Sequence, residues 1–250
     1  MNLTTTLILS FTLPFAFTSL GALLIFFFKK PSDTLNKITI GIASGIMLSA
    51  SIWSLLMPSI ENAEPSWGSL TIIPVCVGFL LGGVFMITLD CISKRFIKSD
   101  HQRPFKLFTA ITIHNIPEGL SVGFAVGTAA ALNTATYLSP FMLALGIALQ
   151  NFPEGLATAM PLQKSLGSKK AFFFGALSGI VEPIFAVAGF FLAKSIACLL
   201  PWLLSFSAGA MLYVIIEELM PELHENKKSS LGTWAFIIGF IFMMILDLCL

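Results

Sequence analysis

Long runs of apolar residues, almost free of charge, decide what this chain can fold into. There are eight, over roughly residues 4–28, 35–57, 69–90, 105–128, 135–160, 170–193, 197–220 and 231–250. Each holds about 20 residues or more, enough to cross a hydrocarbon core of about 30 Å at a helical rise of about 1.5 Å per residue. Charged residues make up 11% of the 250, and the mean hydropathy is +0.90; a soluble domain carries about 25% charge. The expected fold is therefore an all-α integral membrane protein with eight transmembrane helices. No linker or low-complexity segment divides the chain, so residues 1–250 read as a single transmembrane domain. The first stretch is too long for a signal peptide, and Lys29 and Lys30 follow it instead of preceding it, so it is expected to stay as a span.

The basic residues set an orientation. Lys29, Lys30 and Lys37 flank the first connection, and Lys94, Arg95, Lys98, Arg103 and Lys106 the third. Lys164, Lys169 and Lys170 flank the fifth, and Lys227 and Lys228 lie in the seventh. Only Lys194 falls on an even-numbered connection, and the second carries Glu61 and Glu64. Basic residues collect on the cytoplasmic side, so both termini are expected outside. The net charge of +1 gives no reason to expect a nucleic-acid partner. Cys76, Cys91, Cys198 and Cys249 are scattered without metal-type spacing and read as small apolar residues in helices.

The outer stretches echo one another. The second ends Leu56-Met57-Pro58-Ser59 and the seventh Leu219-Met220-Pro221-Glu222. Upstream, Ser44-Gly45-Ile46-Met47-Leu48 matches Ala208-Gly209-Ala210-Met211-Leu212 with a one-residue slip. The third ends Phe85-Met86-Ile87-Thr88-Leu89-Asp90, and the eighth contains Phe242-Met243-Met244-Ile245-Leu246-Asp247. Stretches 1–3 thus read as repeated in 6–8, in opposite orientation, around a central pair. Inverted repeats of this kind occur in secondary transporters, with the substrate site near the midplane.

The chemistry lies in that central pair. The fourth stretch contains His114-Asn115-Ile116-Pro117-Glu118-Gly119-Leu120, and the fifth Gln150-Asn151-Phe152-Pro153-Glu154-Gly155-Leu156. An ionised side chain at a bilayer centre costs about 2.5–3.5 kcal/mol on insertion scales. Two carboxylates in matching contexts call for a common partner, and a divalent cation supplies one. Residues three or four apart share a helix face, so His114 and Glu118 point one way with Asn115 beside them, as do Gln150, Asn151 and Glu154. Pro117 and Pro153 lack the N–H that the carbonyls of Ile113 and Leu149 would otherwise receive, which is tolerated at membrane depth where backbone is buried in protein or lines a wet cavity. Gly119 and Gly155 permit close helix approach. Imidazole, carboxylate and amide oxygen together suit a borderline divalent ion. Glu182, in Val181-Glu182-Pro183, is a third intramembrane carboxylate beside a helix-breaking proline.

The pair His-Asn-x-Pro-Glu-Gly and Gln-Asn-x-Pro-Glu-Gly on consecutive helices resembles the ZIP family of metal transporters, and most of all its short prokaryotic-type branch. The resemblance covers the whole chain. It implies a binuclear metal centre at His114, Asn115, Glu118, Gln150, Asn151 and Glu154, joined by Glu182 and by a methionine at Met47, whose alternative is ordinary packing. Ser54, seven residues on, would mark the entrance, with Glu61 above it as a cation collector or a solvated loop charge. Glu218, Glu222, His224 and Glu225, with Asp90 on the same side, resemble exit-path ligands or, alternatively, a surface acidic cluster. Many family members carry His where Gln150 stands, which implies a range broader than zinc: iron, manganese, cadmium and copper. The metal is cargo, and no resident cofactor is expected.

The resemblance further implies uptake into the cytosol by alternating access, a homodimer and, with compact loops and no organellar presequence, a bacterial inner membrane. Carboxylates bind metal only when deprotonated, so transport is expected to depend on pH. The alternative is an intramembrane metal-dependent hydrolase. A catalytic zinc site uses three protein ligands, often two or three of them His. The chain offers one intramembrane His and no His-Glu-x-x-His, so an enzyme is not expected.

Overall fold

A computed structural model describes residues 1–27, 33–96, 103–132, 134, 136–195, 197–224 and 230–249. Among them there is no strand. The helices are α1 (Leu3–Leu23), α2 (Asp33–Ala50), α3 (Met57–Trp67), α4 (Ile72–Phe96), α5 (Arg103–Ala131), α6 (Leu138–Leu166), α7 (Ser168–Ser178), α8 (Val181–Ser195), α9 (Leu200–Val214), α10 (Met220–His224) and α11 (Leu231–Cys249). Six helical segments among the described residues are long and apolar enough to cross a membrane: Leu3–Phe26, Asp33–Leu70, Ile72–Ile92, Ser168–Ala193, Leu200–Leu219 and Leu231–Leu248. The protein is thus an all-helical membrane protein. Helices α5 and α6 have 29 residues each, long enough to cross, and run unbroken through Pro117 and Pro153.

Two helices expected to stop at a proline continue past it. The second and seventh stretches read as ending near residues 57 and 220, yet helix follows as α3 and α10. In each, a π-helical turn precedes the Met-Pro pair, Ser51–Leu56 in one and Ile215–Leu219 in the other. The N–H of Met57 reaches back five residues to the Ile52 carbonyl, and that of Met220 to the Ile215 carbonyl. The widened turn shifts the hydrogen-bond register just where proline removes a donor and crowds the carbonyl four residues earlier. A third difference is a break. The sixth stretch reads as continuous but is split at Gly179–Ile180 into α7 and α8. Pro183 disfavours helical geometry before it, and the chain tightens to bonds from Gly179 N–H to Ala176, Ile180 N–H to Leu177 and Glu182 N–H to Gly179, at 3.1–3.2 Å. The break places Glu182 in the first turn of α8, where the helix dipole favours a carboxylate.

The helices pack as two bundles. In the first, α5 lies along α8 and α1 along α6, with α7 against both α1 and α6; in the second, α2 lies along α11 and α4 along α9. These four main pairs are parallel and are set by glycine. Gly119, Gly123 and Gly127 of α5 meet the backbone of Glu182, Ala186 and Phe190 in turn; Gly78 and Gly82 meet Trp202 and Phe206; Gly41 and Gly45 meet Gly232 and Phe236. Without a hydrophobic drive between helices in lipid, close backbone approach of this kind is what holds them. The bundles meet along α2–α6 and α5–α9. The main apolar core, with Met47, Leu55, Phe124, Leu204, Met211, Val214 and Leu219, fills that seam.

Candidate metal centre

Three carboxylates, Glu118 on α5, Glu154 on α6 and Glu182 on α8, are buried in the first bundle with the amides of Asn115, Gln150 and Asn151. The motif glycines bring the helices together. Gly119 packs on the backbone of Glu182, and Gly155 on that of Thr18 in α1. Glu182 is well supplied with donors. Its Oε1 accepts from Thr18 Oγ1 at 3.2 Å and Asn115 Nδ2 at 3.1 Å, and its Oε2 from Asn151 Nδ2 at 2.8 Å. Asn115 Nδ2 also reaches the Ser178 carbonyl at 3.1 Å, tying α5 to the end of α7. The Gln150 amide donates to Glu118 Oε1 across α5 and α6.

Among the described residues, five buried acceptor oxygens here find no hydrogen-bond donor: both of Glu154, Asn115 Oδ1, Gln150 Oε1 and Asn151 Oδ1. Buried acceptors are normally paired, and a pocket of oxygens facing no donor is the environment a cation satisfies. Among the described residues no three His, Cys, Asp or Glu groups stand together as a metal site; Glu182 accepts from the amides of Asn115 and Asn151, and Glu118 from that of Gln150.

The expected residues fall into three groups. Asn115, Glu118, Gln150, Asn151, Glu154 and Glu182 are all buried, on helices that pack together. His114 lies on α5 one turn before Glu118, but its side chain is outside the described structure, as are those of Glu222 and His224 on α10 and the whole of Glu225. Met47 is fully buried in the apolar seam. Ser54 lines a cavity of about 420 Å³ with Trp53, Pro58, Ser139 and Asp247, while Glu61 is exposed on α3. Asp90 on α4 and Glu218 in the second π turn are each partly buried.

Two further residues escape a reading of the sequence. Asp247 accepts from Ser54 Oγ at 2.7 Å, and its Oδ2 has no donor; in the sequence it figures only as the end of an echo. Thr18 donates to Glu182, and a threonine in an apolar stretch carries no signal of its own.

A membrane-embedded helical bundle with a buried carboxylate–amide centre on adjoining helices defines a protein that handles ions within the bilayer. The profile of the ZIP Zinc transporter family matches residues 103–247. The chain is similar to Zinc transporter ZIP11 of Bos taurus, 33% identical over 316 aligned positions that cover 92% of this chain and 93% of the relative. It is similar also to Zinc transporter GufA of Myxococcus xanthus, at 34% over 93% of this chain and 94% of the relative. Zinc transporter ZupT of Streptococcus mutans is 31% identical, covering 91% of each. The chain belongs to the ZIP family.

Proposed function

We propose that this protein carries zinc, with other divalent transition metals, across a membrane into the cytosol by alternating access, and that the metal binds among Glu118, Glu154, Glu182, Asn115, Gln150, Asn151 and His114. The observation that carries the reading is the set of five buried oxygens without donors beside three carboxylates. Relatives named as zinc transporters favour zinc; the amide at Gln150, a weaker ligand than imidazole, favours a broader range that takes in iron, manganese, cadmium and copper. In this proposal Met47 completes the site as a soft ligand, Ser54, Glu61 and Asp247 form the entrance, and Asp90, Glu218, Glu222, His224 and Glu225 the exit.

The proposal includes eight spans with both termini outside, a homodimeric assembly and a bacterial inner membrane. Helices α5 and α6 lie parallel to α8 and α1, alongside helices apolar enough to cross, which supports counting both as spans. Several features support the inverted repeat. The π turns precede matching Met-Pro pairs. Pairing of α1 with α6 and α2 with α11 mirrors that of α8 with α5 and α9 with α4. The register that matches Met47 with Met211 also matches Thr18 with Glu182, and these two residues receive Gly155 and Gly119. Glycine locks each pair inside a bundle, so relative motion belongs to the seam between bundles.

The test is zinc uptake into proteoliposomes by the native chain and by Glu118→Ala and Glu154→Ala. Saturable uptake by the native protein and none by either variant is expected. Uptake that survives both substitutions excludes the site; metal-dependent hydrolysis without ion flux would restore the enzyme alternative.

A further inference from the structure

Ser121 and Ser207 join the two bundles at one buried point. Ser121 lies on α5 one turn past Glu118, and Ser207 on α9; both side chains are buried. Their hydroxyl oxygens are 2.7 Å apart, and both approach the Pro117 carbonyl, Ser121 Oγ at 2.8 Å and Ser207 Oγ at 3.0 Å. Two hydroxyls hold two protons, so the three contacts are not all donated at once. In every assignment, however, the Ser207 hydroxyl is tied to α5, either to the Ser121 oxygen or to the Pro117 carbonyl. The other interhelical bonds described above, Thr18–Glu182, Asn115–Glu182, Asn151–Glu182, Gln150–Glu118 and Ser54–Asp247, each lie within one bundle.

The place of this contact matters. A cavity of about 230 Å³ is lined by Ala125 and Thr128 of α5 and Leu200 and Leu204 of α9, with Ser54 and Pro58. Ala125 is one turn from Ser121, and Leu204 one turn from Ser207, so the serine pair lies one turn beyond residues that line the cavity, on the Glu118 side of it. Glu118 lies one turn beneath. At the positions that the repeat matches to Ser121 and Ser207 stand Ala157 and Ala43, both buried. The α2–α6 side of the seam thus has methyl groups where the α5–α9 side has hydroxyls.

We propose that Ser121 and Ser207 are a latch that closes this cavity off from the carboxylates, and that the Ser207 hydroxyl must leave α5 each time the site opens to the cavity. When the pair parts, two hydroxyls and the Pro117 carbonyl offer oxygen ligands to an entering hydrated cation. The latch rests on the transport reading above and names the residues that gate it.

Two measurements separate the latch from that reading. In a background with the four native cysteines replaced by serine, Ser121→Cys/Ser207→Cys is oxidised with diamide, and cross-linking is scored by loss of free thiol. Reduced protein is expected to take up zinc, oxidised protein to take up none, and treatment with a phosphine reductant to restore uptake. Failure to cross-link, or undiminished uptake by cross-linked protein, overturns the latch. The second measurement needs no transport: in the same background Glu118→Cys is labelled with a charged methanethiosulfonate from the cavity side, with and without Ser207→Ala. Several-fold faster labelling with Ser207→Ala is expected, and an unchanged rate overturns the latch. Absence of zinc uptake by the native protein itself would strike the transport reading and leave the labelling result to stand or fall alone.

Discussion

At the level of single residues, Glu154 and Glu182 are both buried carboxylates with opposite surroundings. Glu182 receives three side-chain donors, from Thr18, Asn115 and Asn151, while neither oxygen of Glu154 receives any among the described residues. Glutamine at 182 keeps the shape but turns one acceptor into a donor facing donors, and an unmatched buried polar group costs about 1–3 kcal/mol. Glutamine at 154 replaces a buried carboxyl group that, among the described residues, no hydrogen bond supports. In metal-free detergent solution, Glu182→Gln is therefore expected to lower the thermal unfolding midpoint, and Glu154→Gln to leave it unchanged or raise it. Added zinc should raise the midpoint of the native protein, because a ligand that binds only the folded state stabilises it; Glu154→Gln should lose that rise. If Glu154→Gln is as destabilising as Glu182→Gln without metal, Glu154 is a structural residue and not a ligand.

At the level of elements, the glycines that the helix pairs use are predictable in effect from what a β-carbon would meet. At Gly45 it would enter the backbone of Phe236 on α11, and at Gly209 that of Phe79 on α4; at Gly83 nothing lies within 4 Å. Forcing extra volume into a packed contact costs about 1–3 kcal/mol, whereas alanine for glycine in an open helical position gains up to about 1 kcal/mol. Gly45→Ala and Gly209→Ala should each lower the unfolding midpoint, and Gly83→Ala should not; equal effects at all three would deny that these pairs are held by backbone contact. The same scale separates what the sequence tells from what it hides. The buried carboxylates and amides are legible because a polar motif that occurs twice in apolar stretches is costly to bury unless a ligand offsets its charge. The prolines mislead in the opposite direction. Pro58 and Pro221 read as helix ends, but a π turn before each lets the helix continue. The break at Gly179–Ile180 is hinted at only by Pro183, since hydropathy does not register a lost hydrogen bond. Asp247 is hidden because its significance comes from Ser54, which lies 193 residues earlier in the chain.

At the level of the whole molecule, the side of the membrane to which the cavity opens depends on which way the bundle faces. Thirteen of fourteen basic residues lie on or flank odd-numbered connections, and in the proposed orientation, which follows the positive-inside rule, the even-numbered connections are outside. Two native cysteines are well placed to check this. Cys198 is exposed in the 3₁₀ turn Ala197–Leu199, on the sixth connection. Cys91 is exposed near the other end of the membrane, five residues before the end of α4 and beside the basic third connection. With Cys76 and Cys249 replaced by serine, a membrane-impermeant maleimide added to intact cells should label Cys198 and spare Cys91; inverted vesicles should reverse the pattern. The opposite result would turn the bundle over. The cavity near Ser121 and Ser207 would then face the cytosol, and Glu217 and Glu218, in the π turn after α9, would lie toward the outer side.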